Sequence, residues 1–136
     1  MVTRDVLHGV AAQGAHPVST PLLVIEDDPQ LRLLMALLLE DEGYPVQVAA
    51  DGLDAIQRLQ AGRPSLVILD LNLPSVNGDE VGARIRARYG PTLPIIMVTA
   101  SRRGAEEAAS LGAAYLRKPF DVDELLTMVW RCLAGR

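Results

Sequence analysis

The chain of 136 residues holds one cysteine, one tryptophan, one phenylalanine and three tyrosines. The lone Cys132 excludes an internal disulfide and suits a reducing compartment. No apolar run approaches the ~18 residues that read as a membrane span. No charged start leads into an unbroken apolar core, so no signal peptide is expected. A basic excess is missing as well. Thirteen Lys and Arg against 17 Asp and Glu leave a formal net charge of −4, which argues against a general nucleic-acid or anionic-membrane binder, since both need a basic surface. Internal repeats and low-complexity segments are absent. With 49% hydrophobic and 22% charged residues, what remains is the composition of one globular domain long enough to bury a sizeable core. The expectation is a soluble, cytoplasmic protein.

Residues 1–19 show no sustained period and contain Gly9, Gly14 and Pro17. They read as a flexible N-terminal tail with His8 and His16 in solvent, ahead of a domain over 20–136. From residue 20, strand-like and helix-like segments alternate. Asp28-Pro29 is a helix start, Asp at the N-cap and Pro at the first helical position. Leu31, Leu34, Met35 and Leu38 then follow the i, i+3, i+4, i+7 spacing of an inward face, and Gly43 closes the helix. A strand over 45–49 and a helix over 52–61 follow, the helix with Leu53, Ile56 and Leu59 inward. Further helices are expected over 79–88, 106–110 and 121–133, and further strands over 66–70, 94–99 and 114–116. Five βα units imply a parallel sheet covered on both faces, with the ligand site at the carboxyl ends of the strands.

Two apolar runs end in carboxylates. Leu22-Leu23-Val24-Ile25 runs into Glu26-Asp27-Asp28, and Leu66-Val67-Ile68-Leu69 runs into Asp70. Runs of this kind read as strands buried on both faces. Laid side by side and parallel, they bring their acids to one edge of the sheet. Carboxylates about 5 Å apart at an effective dielectric near 20 repel by about 3 kcal/mol per pair, so the cluster calls for a cation. The remaining strand ends add Thr99 and Lys118. Oxygen ligands of high charge density suit Mg²⁺ rather than zinc. A divalent ion, a carboxylate nucleophile, a hydroxyl and a lysine are the parts needed to move a phosphoryl group onto an aspartate.

The stretches LLVIEDD, LVILDLNLPSVNG, PIIMVTA and AAYLRKPF, in this order, resemble the receiver domain of bacterial two-component response regulators, of the CheY-like, single-domain kind. The resemblance covers about residues 20–134. It implies a flavodoxin-like α/β fold, a five-stranded parallel sheet of order 2-1-3-4-5 with helices on both faces. It also implies roles. Asp70 matches the phospho-acceptor, loaded from a histidine kinase or a histidine phosphotransfer protein. Asp27 matches the direct Mg²⁺ ligand and Glu26 the acid that helps hold the ion. Asn72 matches the position whose backbone carbonyl completes the metal site. Thr99 matches the hydroxyl that turns toward the phosphoryl group, with the small Ala100 beside it. Lys118 matches the amine that pairs with a phosphoryl oxygen, and Lys118-Pro119 the cis peptide. Tyr115 matches the aromatic switch residue that swings inward when Thr99 moves.

The expected function is a phosphorylation-dependent phosphorelay switch without enzymatic output, acting on a downstream protein through the face of the fourth helix, fifth strand and fifth helix. It is expected as a monomer or phosphorylation-induced dimer. The alternative is a receiver excised from a larger transcription factor or hybrid histidine kinase. An aspartyl-phosphate phosphatase is disfavoured because the position two after Asp70 is Asn72, which cannot serve as general acid. The segment from Thr99 to Lys118 is about one helical turn shorter than the family pattern, which predicts a short or mobile fourth helix. Leu33 and Leu37 lie off the first helix's inward stripe, and Trp130 at the edge of the last helix's stripe, where it caps the core or meets a partner.

Overall fold

Four strands of four residues and one of five carry the domain, and their apolar character dictates where they lie. The computed structural model describes residues 14–135. Within them the order is β1 (Leu22–Ile25), α1 (Pro29–Glu42), β2 (Val46–Ala49), α2 (Gly52–Ala61), β3 (Leu66–Leu69), α3 (Gly78–Tyr89), β4 (Ile95–Thr99), α4 (Gly104–Leu111), β5 (Ala114–Arg117) and α5 (Val122–Ala134). The strands form one parallel sheet of order β2-β1-β3-β4-β5, the order the resemblance implied. Central strands β1, β3 and β4 are buried along their whole length, as unbroken Val/Ile/Leu runs require. Edge strands β2 and β5 are only partly buried.

Successive residues of β1 feed opposite layers. Leu22 and Val24 pack with Met35 and Leu39 of α1 and with Leu125 and Val129 of α5. Leu23 and Ile25 pack with Ala55 and Leu59 of α2 and with Val81 and Ile85 of α3. Ala108 of α4 joins this second layer.

The helix starts follow their local chemistry. Asp28 accepts from the Gln30 amide at 3.0 Å, with Pro29 at the first helical position, and Asp51 accepts from the Asp54 amide at 2.8 Å. Two inward faces differ from expectation. On α1 the buried residues are Met35, Ala36 and Leu39, and Leu34 is 48% exposed. This helix is apolar around most of its circumference, so periodicity alone leaves its rotation open. On α2, Ala55 takes the inward place expected of Leu53, which is 53% exposed. Helix α4 starts two residues earlier than expected and still spans only eight residues.

The expected tail over 1–19 falls mostly outside the described residues, His8 with it. His16 is not in open solvent: its ring lies 4.5 Å from the Trp130 ring of α5, tilted by 32°. Ala15 and Val18 pack against the α1/α5 layer. At the foot of the sheet the Ser65 hydroxyl donates to the Thr20 carbonyl at 2.7 Å and pairs with the Thr20 hydroxyl at 2.8 Å. Trp130 therefore meets the chain's own N-terminal segment.

Candidate functional site: an acidic pocket at the strand ends

Parallel register brings the strand ends together. Ile25 lies opposite Leu69 in adjacent strands, so Glu26 and Asp70 emerge side by side, and Thr99 and Arg117 are paired across β4 and β5, which sets Lys118 next to Thr99. One carboxylate oxygen from each of Glu26, Asp27 and Asp70 lies within 4.8 Å of the others. Glu26, Asp70 and Thr99 are buried and Asp27 is open to solvent. Two of the three acids are thus sheltered and the third faces solvent.

Lys118 closes the inner side. Its ammonium donates to Glu26 Oε1 at 2.6 Å and to Asp70 Oδ2 at 2.8 Å. It is the only lysine in the chain, the other basic side chains apart from the two histidines being arginines. Burial pushes the Glu26 carboxyl above its ordinary value against the lowering effect of Lys118 and the Asp28 amide. Burial also works against the Lys118 charge, but its hydrogen bonds to Asp70 and Glu26 outweigh that and hold the amine above its ordinary value. Burial thus prevails at the Glu26 carboxyl and pairing at the Lys118 amine, and the half-buried cation is tolerated because two acids face it. The Lys118–Pro119 peptide is cis.

The backbone does the rest of the positioning. The Asn72 amide donates to Asp70 Oδ1 at 3.2 Å and the Asp28 amide to Glu26 Oε2 at 3.1 Å. Thr99 accepts from the Ser101 amide through Oγ1 at 3.1 Å, while the Lys118 amide donates to the Thr99 carbonyl. Tyr115 is half-buried against the α2/α3 layer. The structure thus brings Glu26, Asp27, Asp70 and Lys118 together, ties the Asn72 amide to Asp70, and sets Thr99 and Tyr115 on the neighbouring strands β4 and β5, both beside Gly104.

Several residues of the site escaped the sequence reading. Arg32 donates to the Glu26 and Asp27 carbonyls at 2.9 and 3.3 Å, bracing the acidic turn from the first turn of α1. At Gly78 a Cβ would stand 2.1 Å from the Asp70 carbonyl oxygen and 2.7 Å from Leu71 Cα. Only glycine lets α3 begin against the backbone just past β3. Ser75 holds φ +66° and accepts from the Leu53 amide at 3.2 Å, tying the loop after Asp70 to α2. A glycine directly after a turn-rich loop was the visible signal for Gly78; nothing local marked Arg32.

A doubly wound sheet with an acidic pocket and a lysine at its carboxyl edge defines a class of phospho-accepting α/β domains. The response regulator receiver domain family matches residues 22–130, and the chain belongs to that family. It is 40% identical over 118 residues to the transcriptional regulatory protein TcrA of Mycobacterium tuberculosis, covering 85% of this chain and 46% of that protein. The chain thus spans about half the length of such curated relatives. An uncharacterised 14.6 kDa protein of Leptolyngbya boryana is 39% identical, over 83% of this chain and 90% of that protein. Among solved structures, the response regulator TrrA of Thermotoga maritima in complex with Mg²⁺-BeF superposes with a TM-score of 0.75 at 33% identity, over 83% of this chain and 98% of that one. No helix among the described residues is long and apolar enough to cross a membrane.

Proposed function

We propose that this chain is a phosphorylation-dependent signalling switch of the cytoplasm, with Asp70 as the acceptor. The observation that carries the reading is the convergence of Glu26, Asp27 and Asp70 within 4.8 Å beside a lysine that touches two of them. The three carboxylates, with the Asn72 carbonyl, form an all-oxygen donor set that suits Mg²⁺. Bound there, the ion would neutralise phosphoryl oxygens as charge builds on them.

The residues of the chain divide the remaining work. An Asp70 carboxylate oxygen attacks the phosphorus of a phosphohistidine on a histidine kinase or phosphotransfer protein. The O–P bond forms, the P–N bond breaks, and the electron pair leaves on the imidazole. The Asn72 amide and Lys118 hold Asp70 in place beforehand, and Lys118 then pairs with a phosphoryl oxygen. The Thr99 hydroxyl donates to another. Hydrolysis reverses the state: water attacks phosphorus, the acyl O–P bond breaks, and inorganic phosphate leaves a free carboxylate. Tyr115 follows Thr99 and passes the change to the surface of α4, β5 and α5.

Two surfaces support the partner reading. Ala114, Leu116, Met128 and Cys132 form the apolar part of a groove of about 530 Å³ between β5 and α5, with charged side chains such as Glu124 and Arg131 also lining it, on the face expected to meet a downstream protein. On α1, Leu33, Leu34 and Leu37 are all about half exposed or more, an apolar patch open to a partner such as the kinase. A second reading, a receiver cut from a longer transcription factor or hybrid kinase, is favoured by the half-length match to TcrA; the length of the native reading frame separates the two. For the first, acetyl phosphate with Mg²⁺ should label the wild type and leave Asp70→Asn unlabelled on a phosphate-affinity gel. Equal labelling of both proteins would overturn the assignment.

A further inference from the structure

Helix α4 is tied to α3 at its C-terminal end. Its last residue, Leu111, sits over Gly82 of α3, where a Cβ would lie 2.4 Å from Leu111 Cδ1. Arg86 of α3 donates from Nε to the Leu111 carbonyl at 2.6 Å and from Nη2 to the Gly112 carbonyl at 3.2 Å. Its Nη1 binds the Gly90 and Leu93 carbonyls, fixing the entry to β4 as well. The first turn is held differently. Arg103 at the N-cap makes no side-chain cap, but its Nη1 lies 3.7 Å from Glu107 Oε1. The Gly104 amide donates to the Ser101 carbonyl at 3.1 Å, and Gly104 itself is buried.

That end rests on the two residues assigned to switching. A Cβ on Gly104 would stand 2.5 Å from Tyr115 Cε1, 2.9 Å from Tyr115 Cζ and 2.8 Å from Thr99 Cγ2. Gly104 is not among the residues with positive φ, so backbone freedom is not what requires a glycine there. Space is. A short chain of hydrogen bonds links the same glycine to the Thr99 hydroxyl. The Ser101 amide donates to Thr99 Oγ1 and the Arg103 amide to Ser101 Oγ, at 3.1 and 3.2 Å.

We propose that Gly104 is a positioning residue of the switch. Its absent side chain is the seat of the Tyr115 ring, and Thr99 sets where that seat lies. When the Thr99 hydroxyl turns toward a group on Asp70, the Ser101 amide follows it and Gly104 moves beneath the ring. Helix α4 pivots about Leu111 and Gly112. This inference rests on the phospho-acceptor reading above and adds the element that carries the movement outward.

The test titrates beryllofluoride with Mg²⁺ into the full chain, comparing wild type, Gly104→Ala, Tyr115→Ala and the double variant. Gly104→Ala should weaken binding about tenfold, and the loss should shrink at least about threefold once Tyr115 is alanine, because the ring the methyl strikes is gone. An equal loss in both backgrounds, or no loss at all, overturns the proposal. Should Gly104→Ala fail to fold, the wild type alone decides. Nuclear Overhauser contacts between Gly104 Hα and the Tyr115 ring should be present in the free protein and change on beryllofluoride binding; unchanged contacts overturn it. Wild type that binds no beryllofluoride removes the acceptor reading itself, a result distinct from either failure.

Discussion

Lys118 and Asp70 stand 48 residues apart in the chain, yet the lysine ammonium lies 2.8 Å from the aspartate Oδ2 while also holding Glu26 at 2.6 Å. One cation thus separates two buried acids. Lys118→Met leaves those carboxylates facing each other with no counter-charge, and should cost about 2 kcal/mol or more in urea unfolding without Mg²⁺. Adding Glu26→Gln should recover most of that loss. Additive destabilisation in the double variant would show that the repulsion is not the cause.

Ser75 is the one non-glycine residue with positive φ among those described. Left-handed backbone costs a serine about 1 kcal/mol, and its hydroxyl bond to the Leu53 amide returns a similar amount. Ser75→Gly should therefore be nearly neutral, and Ser75→Ala, which keeps the strain and loses the bond, should destabilise by about 1 kcal/mol. Urea midpoints of the two variants read the difference. A Ser75→Ala midpoint above that of Ser75→Gly would refute the account.

Trp130 is the chain's only tryptophan, and His16 lies 4.5 Å from it. Removing the imidazole with His16→Ala should expose the indole, shift its emission to longer wavelength, and lower stability by about 0.5–1.5 kcal/mol. Emission identical to wild type would mean that the N-terminal segment does not rest on α5 in solution.

Cys132 is half-buried, and burial raises its thiol pKa above the ordinary value of 9.0. At pH 8 the native thiol should react with a disulfide reagent more slowly than the unfolded chain does. The linkage has a definite sign. The folded state keeps this proton to higher pH than the unfolded state, so its contribution to stability is complete below pH 9 and fades as pH rises through the folded value. Cys132→Ser should flatten that alkaline decline; an unchanged profile would assign it to other groups.

Much of the fold and the pocket was legible in the sequence. Short unbroken runs such as Leu66–Leu69, bounded by turn residues, read as strands covered on both faces, and an acid at each of two such ends implies a shared edge once the strands are parallel. Asp28-Pro29 announced a helix start because capping is local chemistry. The rotation of α1 was not legible, since Leu33, Leu34 and Leu37 are as apolar as Met35 and Leu39. Which leucines turn inward depends on the sheet beneath.

Glycine roles were hidden for a related reason. Gly78 and Gly104 need their missing Cβ because of the Asp70 carbonyl and the Tyr115 ring, atoms brought near only by the completed sheet. The sequence by itself determined the number and kind of elements, their parallel arrangement and the residues at their ends, because strand burial, capping and charge act over a few residues. Only the tertiary structure decided the phase of α1, the packing of His16 on Trp130, the bracing by Arg32 and the seat at Gly104. Those are contacts between distant segments, and their energy exists only once the chain has closed on itself.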